Sequence, residues 1–430
     1  MKQVRILVFP CGSEVALELH SALKDVSFIT LVGASSVADH GKYVFRHYVE
    51  GVPFITDPAF ISRFNQLLER ERIDFVYPAM DQVIDVLSEN RDALAAELLA
   101  PCHDAVHVCR SKERTYRRLA GLPFTPRTYA GAAEVTNYPV IIKPAEGYGA
   151  KGFRILRDRR ELEQALADSR EKNVICEYLS GEEYTVDCFT DRHGALRYVS
   201  CRSRGRIRNG ISVHSALMPH DEAVDEIARQ ISDRIRMRGA WFFQLKRNDA
   251  GEYRLLEAAT RVAGTMCLER AAGVNLPLLT VFDAMGCDVE IMRQFDEAVV
   301  DRALYSAFRL PRTFSEVYLD FDDTLTVHGK VNDLMMRYLY QCVNAGIPLK
   351  LISKHDGDLL ADMRALRIPP ELFDEIIHIS REERKCDHVT PKPDALFLDD
   401  SFAERREMQQ AHPITAMGVD CLDVLIDHRQ

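Results

Sequence analysis

No two cysteines in this chain are spaced CxxC, although it contains eleven. That excludes the common zinc-ribbon spacing and offers no disulfide framework, so the thiols are read as reduced and the compartment as cytoplasmic. No apolar run approaches the ~20 residues that a membrane-spanning helix needs. The opening MKQVRILVFPCG has an apolar run too short for a secretion signal and no small-residue cleavage site. Positive charge is also scarce: 55 Lys and Arg face 65 Asp and Glu, for a net charge of −10. An acidic chain is a poor electrostatic partner for nucleic acid. There is no internal repeat and no low-complexity segment.

What remains is a globular composition. The chain has 430 residues, 47% hydrophobic and 28% charged, which is too long for one ordinary core and predicts two to four domains. In the first 110 residues, VRILVF, FITLVGAS and IDFVYPAM read as buried strands separated by helical patterns such as SEVALELHSAL. That alternation predicts a parallel α/β domain. A basic helix, SKERTYRR, follows and is closed by Gly121 and Pro123. Residues 138–310 are richer in strands (YPVIIKP, EYTVDCF, ALRYVSCR, GAWFFQLKR, YRLLEAA) and read as α+β. A boundary is expected within 290–316. From Val317 the strand–helix alternation returns, predicting a third α/β domain.

Two stretches carry chemistry. In the first, YPVIIKPAEGYGAKGFRIL places Lys143 at a strand end before a loop with Gly147, Gly149, Lys151 and Gly152. Glycines let backbone N–H groups close on phosphate oxygens, and lysine adds a point charge. The strand–loop–strand order rules out a P-loop. Further on, NDAG in WFFQLKRNDAGEYRLLEAATR reads as a hairpin turn. With residues 248–251 as the loop, Arg247 would pair with Glu252 and Gln244 would face Leu255. Gln244 and Glu257 would then share a face, one diagonal step apart, with Lys246 on the same side. An amide and a carboxylate projecting together suit Mg²⁺ held with nucleotide phosphates.

These residues resemble the ATP-grasp superfamily over positions 1 to about 305, in the branch of the carbamoyl phosphate synthetase large chain and the pyrrolysine-pathway ligase. The resemblance implies a pre-ATP-grasp domain over 1–110, containing PAMDQVIDVLS with Asp81, and an ATP-grasp domain over 111–305. It implies that Lys112 and Lys143 bind ATP phosphates, with Gly149 and Lys151 also binding the cofactor. Glu177 to Leu179 would form the adenine hinge, Glu183 would hold the ribose, and Gln244 and Glu257 would ligate metal. The pattern departs from the family at Ala259, where E-A-A-T-R replaces E-x-N-P-R and the usual asparagine ligand is absent; water or phosphate oxygens would have to fill that position. Arg261 is kept. In CRSRGRIRNGISVHS, Arg202, Arg204, Arg206 and Arg208 alternate and on one strand would share a face. Their guanidinium forks suit a carboxylate or phosphate, with Arg208 and Arg204 the expected substrate contacts and Arg261 both a substrate contact and a catalytic residue. His214 is read as structural. The family's chemistry is activation of a carboxylate as an acyl phosphate, followed by attack of an amine.

In the second stretch, VYLDFDDTLT, an apolar strand ends in Asp320, Asp322 and Asp323. Carboxylates that close together repel unless a cation lies between them. Magnesium would also let Asp320 attack phosphorus, with Asp322 as acid and base. PLKLISK then ends a strand with Ser353, Lys385 follows, and ALFLDDSFAER ends another with Asp399 and Asp400. In this order the motifs resemble the haloacid dehalogenase superfamily over 313–430. The resemblance implies DxDxT at Asp320, Asp322 and Thr324, a second-motif hydroxyl at Ser353, the lysine at Lys385, and metal held by Asp320, Asp322, Asp399 and Asp400. The gaps between motifs hold no cap domain.

The expected whole is an α/β and α+β multidomain enzyme using ATP and Mg²⁺. It would join a small-molecule carboxylate and an amine, one of them phosphorylated, and a capless Rossmann-like phosphatase domain would remove the phosphate. No nucleic acid or membrane partner is expected; a homodimer is expected by analogy with the family branch. A kinase-plus-phosphatase pair and a degenerate nucleotide-binding module attached to a phosphatase remain as alternatives.

Overall fold

The computed structural model describes residues 1–147, 152–208, 210–310 and 312–429. Gly149 and Lys151 lie outside the described residues. The chain divides into two compact units, Met1–Leu304 and Tyr305–Gln430, and the break falls inside the expected boundary segment. Among the described residues no helix is long and apolar enough to cross a membrane.

The first unit opens with β1 (Val4–Phe9), α1 (Glu14–Leu23), β2 (Ile29–Ser35), β3 (His47–Glu50), α2 (Phe60–Arg70), β4 (Phe75–Pro78), α3 (Asp81–Glu89) and β5 (Glu97–Leu98). The strands form one parallel sheet in the order β3-β2-β1-β4-β5. Both faces of β1 are buried, Ile6 and Val8 on one side and Leu7 and Phe9 on the other. This is why VRILVF is a continuous apolar run and not an alternating one. Two helices follow almost without a break, α4 (His103–Arg110) and α5 (Lys112–Arg118). Ser111 sits between them and accepts the Arg114 N–H as the cap of α5.

Two antiparallel sheets complete this unit. One has the order β6-β9-β7-β8, built from β6 (Thr128–Tyr129), β7 (Val140–Pro144), β8 (Arg154–Leu156), α6 (Arg159–Asp168) and β9 (Asn173–Glu177). The other has the order β11-β10-β14-β15; a separate small sheet, β12-β13-β16, lies beside it, with an isolated bridge between Arg202 and Leu217. Their elements are β10 (Glu183–Thr190), β11 (Leu196–Ser203), β12 (Arg206–Arg208), β13 (Ile211–Ala216), α7 (Glu222–Ile235), β14 (Gly239–Arg247), β15 (Tyr253–Ala259), α8 (Cys267–Ala271), α9 (Leu276–Ala284) and β16 (Val299–Asp301). Trp241, Phe243 and Leu245 of β14 pack with Ile227, Ile231 and Ile235 of α7 in one core.

The β14–β15 hairpin differs from the sequence expectation. Arg247 pairs with Tyr253 and Leu245 with Leu255, and the register then shifts so that Gln244 pairs with Glu257. Asn248 closes the turn by accepting the Ala250 and Glu252 N–H groups. The turn is therefore one residue longer than a 248–251 loop, and a bulge at Leu256 adds a second residue of offset, which brings Glu257 opposite Gln244. Gln244 and Glu257 thus face each other directly, not diagonally.

The second unit contains β17 (Val317–Leu319), β18 (Thr326–Val327), β19 (Lys330–Val331), α10 (Asp333–Asn344), β20 (Leu349–Ser353), α11 (Leu359–Ala365), β21 (Glu375–His378), β22 (Leu396–Leu398), α12 (Phe402–Ala411), β23 (Thr415–Met417) and α13 (Leu422–Leu425). Its main sheet is parallel, in the order β21-β20-β17-β22-β23. The chain crosses from β20 on one side of β17 to β22 on the other. In open parallel sheets, the crevice beyond the carboxyl ends of strands at such a reversal is where ligands bind.

Candidate functional site

In the first unit, two neighbouring cavities of about 230 Å³ and about 410 Å³ share Lys112, Arg204, Gln244 and Glu257 in their walls. Lys112 opens α5, and its ammonium lies 3.4 Å from the Glu257 carboxylate. The smaller cavity adds Lys143, Leu179, Glu183 and Lys246. Lys143 is buried; it donates to Tyr116 Oη at 2.8 Å and lies 3.4 Å from the Leu256 carbonyl. Burial pulls the Lys143 ammonium below the usual lysine range. Tyr116 also donates to the Leu256 carbonyl at 2.6 Å, so the bulge supplies the acceptor that orients this pair. Tyr116 was not picked out from the sequence. Its i,i+4 spacing from Lys112 on the basic helix was the available signal. Glu183 sits between Lys246 and Arg204, 3.3 Å from each. The Glu177 carboxylate accepts the Arg127 N–H at 2.8 Å and lies 3.4 Å from Arg254.

The larger cavity is walled further by Asp81, Arg202, Ala259, Arg261 and Thr265. Arg261 grips Asp81 through two bonds, of 2.7 and 2.9 Å. Burial acts to raise the Asp81 carboxyl, but Arg261, Arg110 and Lys112 outweigh it and hold it below the usual range. Ala259 packs with Phe242 and Val262 in the core, with its methyl at the cavity wall.

The four alternating arginines do not share one strand face. Arg202 ends fully buried on β11, bonded to Asp187 at 2.5 Å and to Thr265. Gly205 then interrupts the strand, and Arg206 and Arg208 belong to β12. Arg206 pairs with Asp301 at 2.7 Å. Arg208 is exposed and is not among the residues walling either cavity, so the geometry does not place it at a substrate. Of the four, Arg202 and Arg204 reach the cavities.

In the second unit the site lies beyond β17, β20 and β22. Lys385 is buried between two carboxylates, 2.8 Å from Asp320 Oδ1 and 2.7 Å from Asp399 Oδ2. Burial raises the Asp320 carboxyl, with Lys385 opposing it. Burial also lifts Asp399, to about 6. Burial lowers the Lys385 ammonium, but the two carboxylates more than compensate and hold it above its usual value. Asp320, Asp399 and Asp400 each offer an oxygen within 4.8 Å of the others. Thr324 is fully buried, and its Oγ1 accepts the Asp400 N–H at 3.0 Å, so it positions that acid. Ser353 is fully buried at the end of β20.

Asp322 does not join this carboxylate group. Asp323 adopts a left-handed backbone (φ +50°) in a tight turn. The Asp322 carboxylate instead meets His355 Nδ1 at 3.0 Å, while His355 Nε2 meets Asp362 at 2.8 Å. His355 was not picked out from the sequence; its place two residues after Ser353, at the end of the neighbouring strand, was the signal.

Residues 169–303 match a family described as ATP-grasp in the biosynthetic pathway with Ter operon. The chain is 32% identical over 82 residues to D-alanine–D-alanine ligase of Fusobacterium nucleatum, covering 19% of this chain and 28% of the relative. It is 23% identical over 248 residues to the carbamoyl phosphate synthase arginine-specific large chain of Bacillus subtilis, covering 52% of this chain and 24% of the relative. The matched regions span less than a third of these curated relatives. Among solved structures, biotin carboxylase in its β-γ-ATP complex from Campylobacter jejuni superposes at TM-score 0.56 and 18% identity, covering 67% of this chain and 72% of that one. An L-amino acid ligase from Bacillus licheniformis superposes at TM-score 0.54 and 16% identity, covering 66% and 75%. The matched part of this chain therefore carries the ATP-grasp fold.

Proposed function

We propose that the chain is a bifunctional enzyme, an ATP-dependent carboxylate–amine ligase joined to a Mg²⁺-dependent phosphatase of haloacid dehalogenase type. The domains are taken as 1–110, 111–305 and 313–430. The observation that carries the ligase half is the shared wall of Lys112, Arg204, Gln244 and Glu257 between two cavities. It is supported by the ligases among the relatives. In this reading ATP lies in the smaller cavity, with Lys143 and Lys112 against its phosphates, Glu183 toward the ribose and Leu179 against the adenine. The substrate carboxylate lies in the larger cavity toward Arg204 and Arg261. Gln244 and Glu257 hold magnesium, which neutralises phosphate charge when bound. The carboxylate oxygen takes the γ-phosphoryl group and ADP leaves. An amine then attacks the acyl carbon, and phosphate leaves with the former carboxylate oxygen.

In the second unit, Asp320 is the nucleophile toward a phosphomonoester. Asp322 protonates the leaving alcohol and then activates the water that frees Asp320. Lys385 and Ser353 hold charge at the reacting group. Asp320, Asp399 and Asp400 fit a hard cation, because three carboxylate oxygens already converge. Ala259 favours a second reading, in which the first unit binds nucleotide without turnover.

The test is a coupled assay on wild type and Asp320→Asn with ATP and Mg²⁺ against pools of amino acids and amines. The expected result is ADP release by both proteins, with a phosphorylated ligated mass accumulating only in the variant. ATP binding by both without ADP release would refute the ligase. Loss of the substrate phosphate in the variant would refute the phosphatase.

A further inference from the structure

A second set of side chains converges away from both cavities. α4 places His103 and His107 one turn apart on the same face. Their rings lie 5.6 Å apart, centre to centre. The neighbouring helix α3 contributes Asp85, and one ligand atom from each of the three lies within 4.8 Å of the others. Asp85 Oδ1 is buried and has no hydrogen-bond partner. Buried carboxylate oxygens are nearly always satisfied, so an unpaired one on a carboxylate that neighbours two imidazoles calls for an explanation.

The hydrogen bonds around His103 favour one tautomer. Ser88 Oγ donates its one proton to the Asp85 carbonyl at 2.9 Å. It also lies 3.0 Å from His103 Nδ1. If the hydroxyl proton goes to the carbonyl, Nδ1 is the donor to Ser88. The His103 Nε2 lone pair is then free, which is the arrangement that metal-binding histidines adopt.

We propose that Asp85, His103 and His107 form a binding site for a divalent cation of the zinc class. Two imidazoles and a carboxylate suit Zn²⁺ and its first-row neighbours, not Mg²⁺ or Ca²⁺, which take oxygen ligands. With ligands at 2.0–2.1 Å, a tetrahedral site has an edge of about 3.3 Å. Small side-chain rotations from the observed spacing reach it, and water takes the fourth position. The cation is distinct from the magnesium proposed for the two catalytic centres. Its consequence is mechanical. α3 begins with Asp81, which grips Arg261, and α4 ends one residue before the Ser111 cap of the helix carrying Lys112. A cation joining the two helices fixes these residues relative to each other.

The test is a Co²⁺ titration of the metal-free full chain, followed by visible absorption with Mg²⁺ in excess to occupy the Asp320 carboxylate group. One equivalent is expected to give the intense bands of a tetrahedral site, without thiolate charge transfer, and Zn²⁺ should bleach them. His107→Ala alters an exposed side chain and should not disturb folding. It should weaken binding by at least about 100-fold, and Ser88→Ala by about 10-fold. Cys102→Ser should titrate as wild type. Equal titration of wild type and His107→Ala would overturn the site, as would loss of the bands in Cys102→Ser or a weak octahedral spectrum.

Discussion

Lys385→Met tests the electrostatics of the second unit. The ammonium lies 2.8 and 2.7 Å from two carboxylates. At an effective dielectric of 20 each attraction is about 6 kcal/mol, and the carboxylates, within 4.8 Å of each other, repel by at least about 3 kcal/mol. Desolvation cancels most of the attraction in the wild type. Removing the lysine leaves two buried like charges with nothing between them, and breaking such a pair costs about 3–5 kcal/mol. The pH dependence has a definite sign. Asp399 is raised to about 6 from an unfolded value near 3.9, so the folded state holds its proton more tightly. Ionised Asp399 therefore costs the folded state about 3 kcal/mol well above pH 6, and the cost disappears as pH falls through 6 toward 4. Without Lys385 the carboxyl rises further and the dependence steepens. Hydrogen exchange read by mass spectrometry on peptides spanning β17, β20 and β22 isolates this unit. At about pH 8 without Mg²⁺ the variant should lose protection there; at about pH 5, or with Mg²⁺, it should regain most of it. Equal protection in variant and wild type at about pH 8 without Mg²⁺ would refute the reasoning.

Four further outcomes are expected. Lys143→Met should weaken ATP binding at least about 10-fold by calorimetry while leaving the first unit no less stable, because it removes an ammonium that burial already disfavours. Arg202→Met should cost about 3–5 kcal/mol in urea unfolding by stranding the fully buried Asp187, and adding Asp187→Leu should restore most of it. Burial lowers the His355 imidazole, but Asp322 and Asp362 overcome it and raise it above its usual value. Its stabilising contribution is therefore complete below about pH 6.5 and fades as pH rises through that higher value. Exchange protection near 353–362 should follow that curve, and His355→Asn should flatten it. Ala259→Asn should lower the Mg²⁺ concentration needed for half-maximal ADP release; an unchanged requirement would mean that the missing asparagine is immaterial.

Much of the layout was legible from local pattern. VRILVF and VYL are buried on both faces, and their unbroken apolar runs announce parallel strands. The features that escaped are those set by partners far away in the chain. A period-two pattern carries no mark of the bulge at Leu256, because the extra residue is fixed by the turn at Asn248 and by Tyr116, 140 residues upstream. The alternation of four arginines was legible, but the break at Gly205 was not given its weight. Asp187 and Thr265, which capture Arg202, come from other segments. Asp322 shows the same limit: spacing places it beside Asp320, whereas the left-handed turn at Asp323 and His355 from the next strand decide where its carboxylate points.

The bulge has one more consequence. The Leu256 carbonyl is held by Tyr116 and approached by Lys143 of the β6–β9 sheet, while the adjoining Leu255 N–H donates to Phe124 at 2.8 Å. Tyr116 of α5 and Phe124, which precedes β6, thus occupy two backbone groups of β15, the edge strand of its sheet. The edge of that sheet is thereby closed at this point to pairing with a further strand.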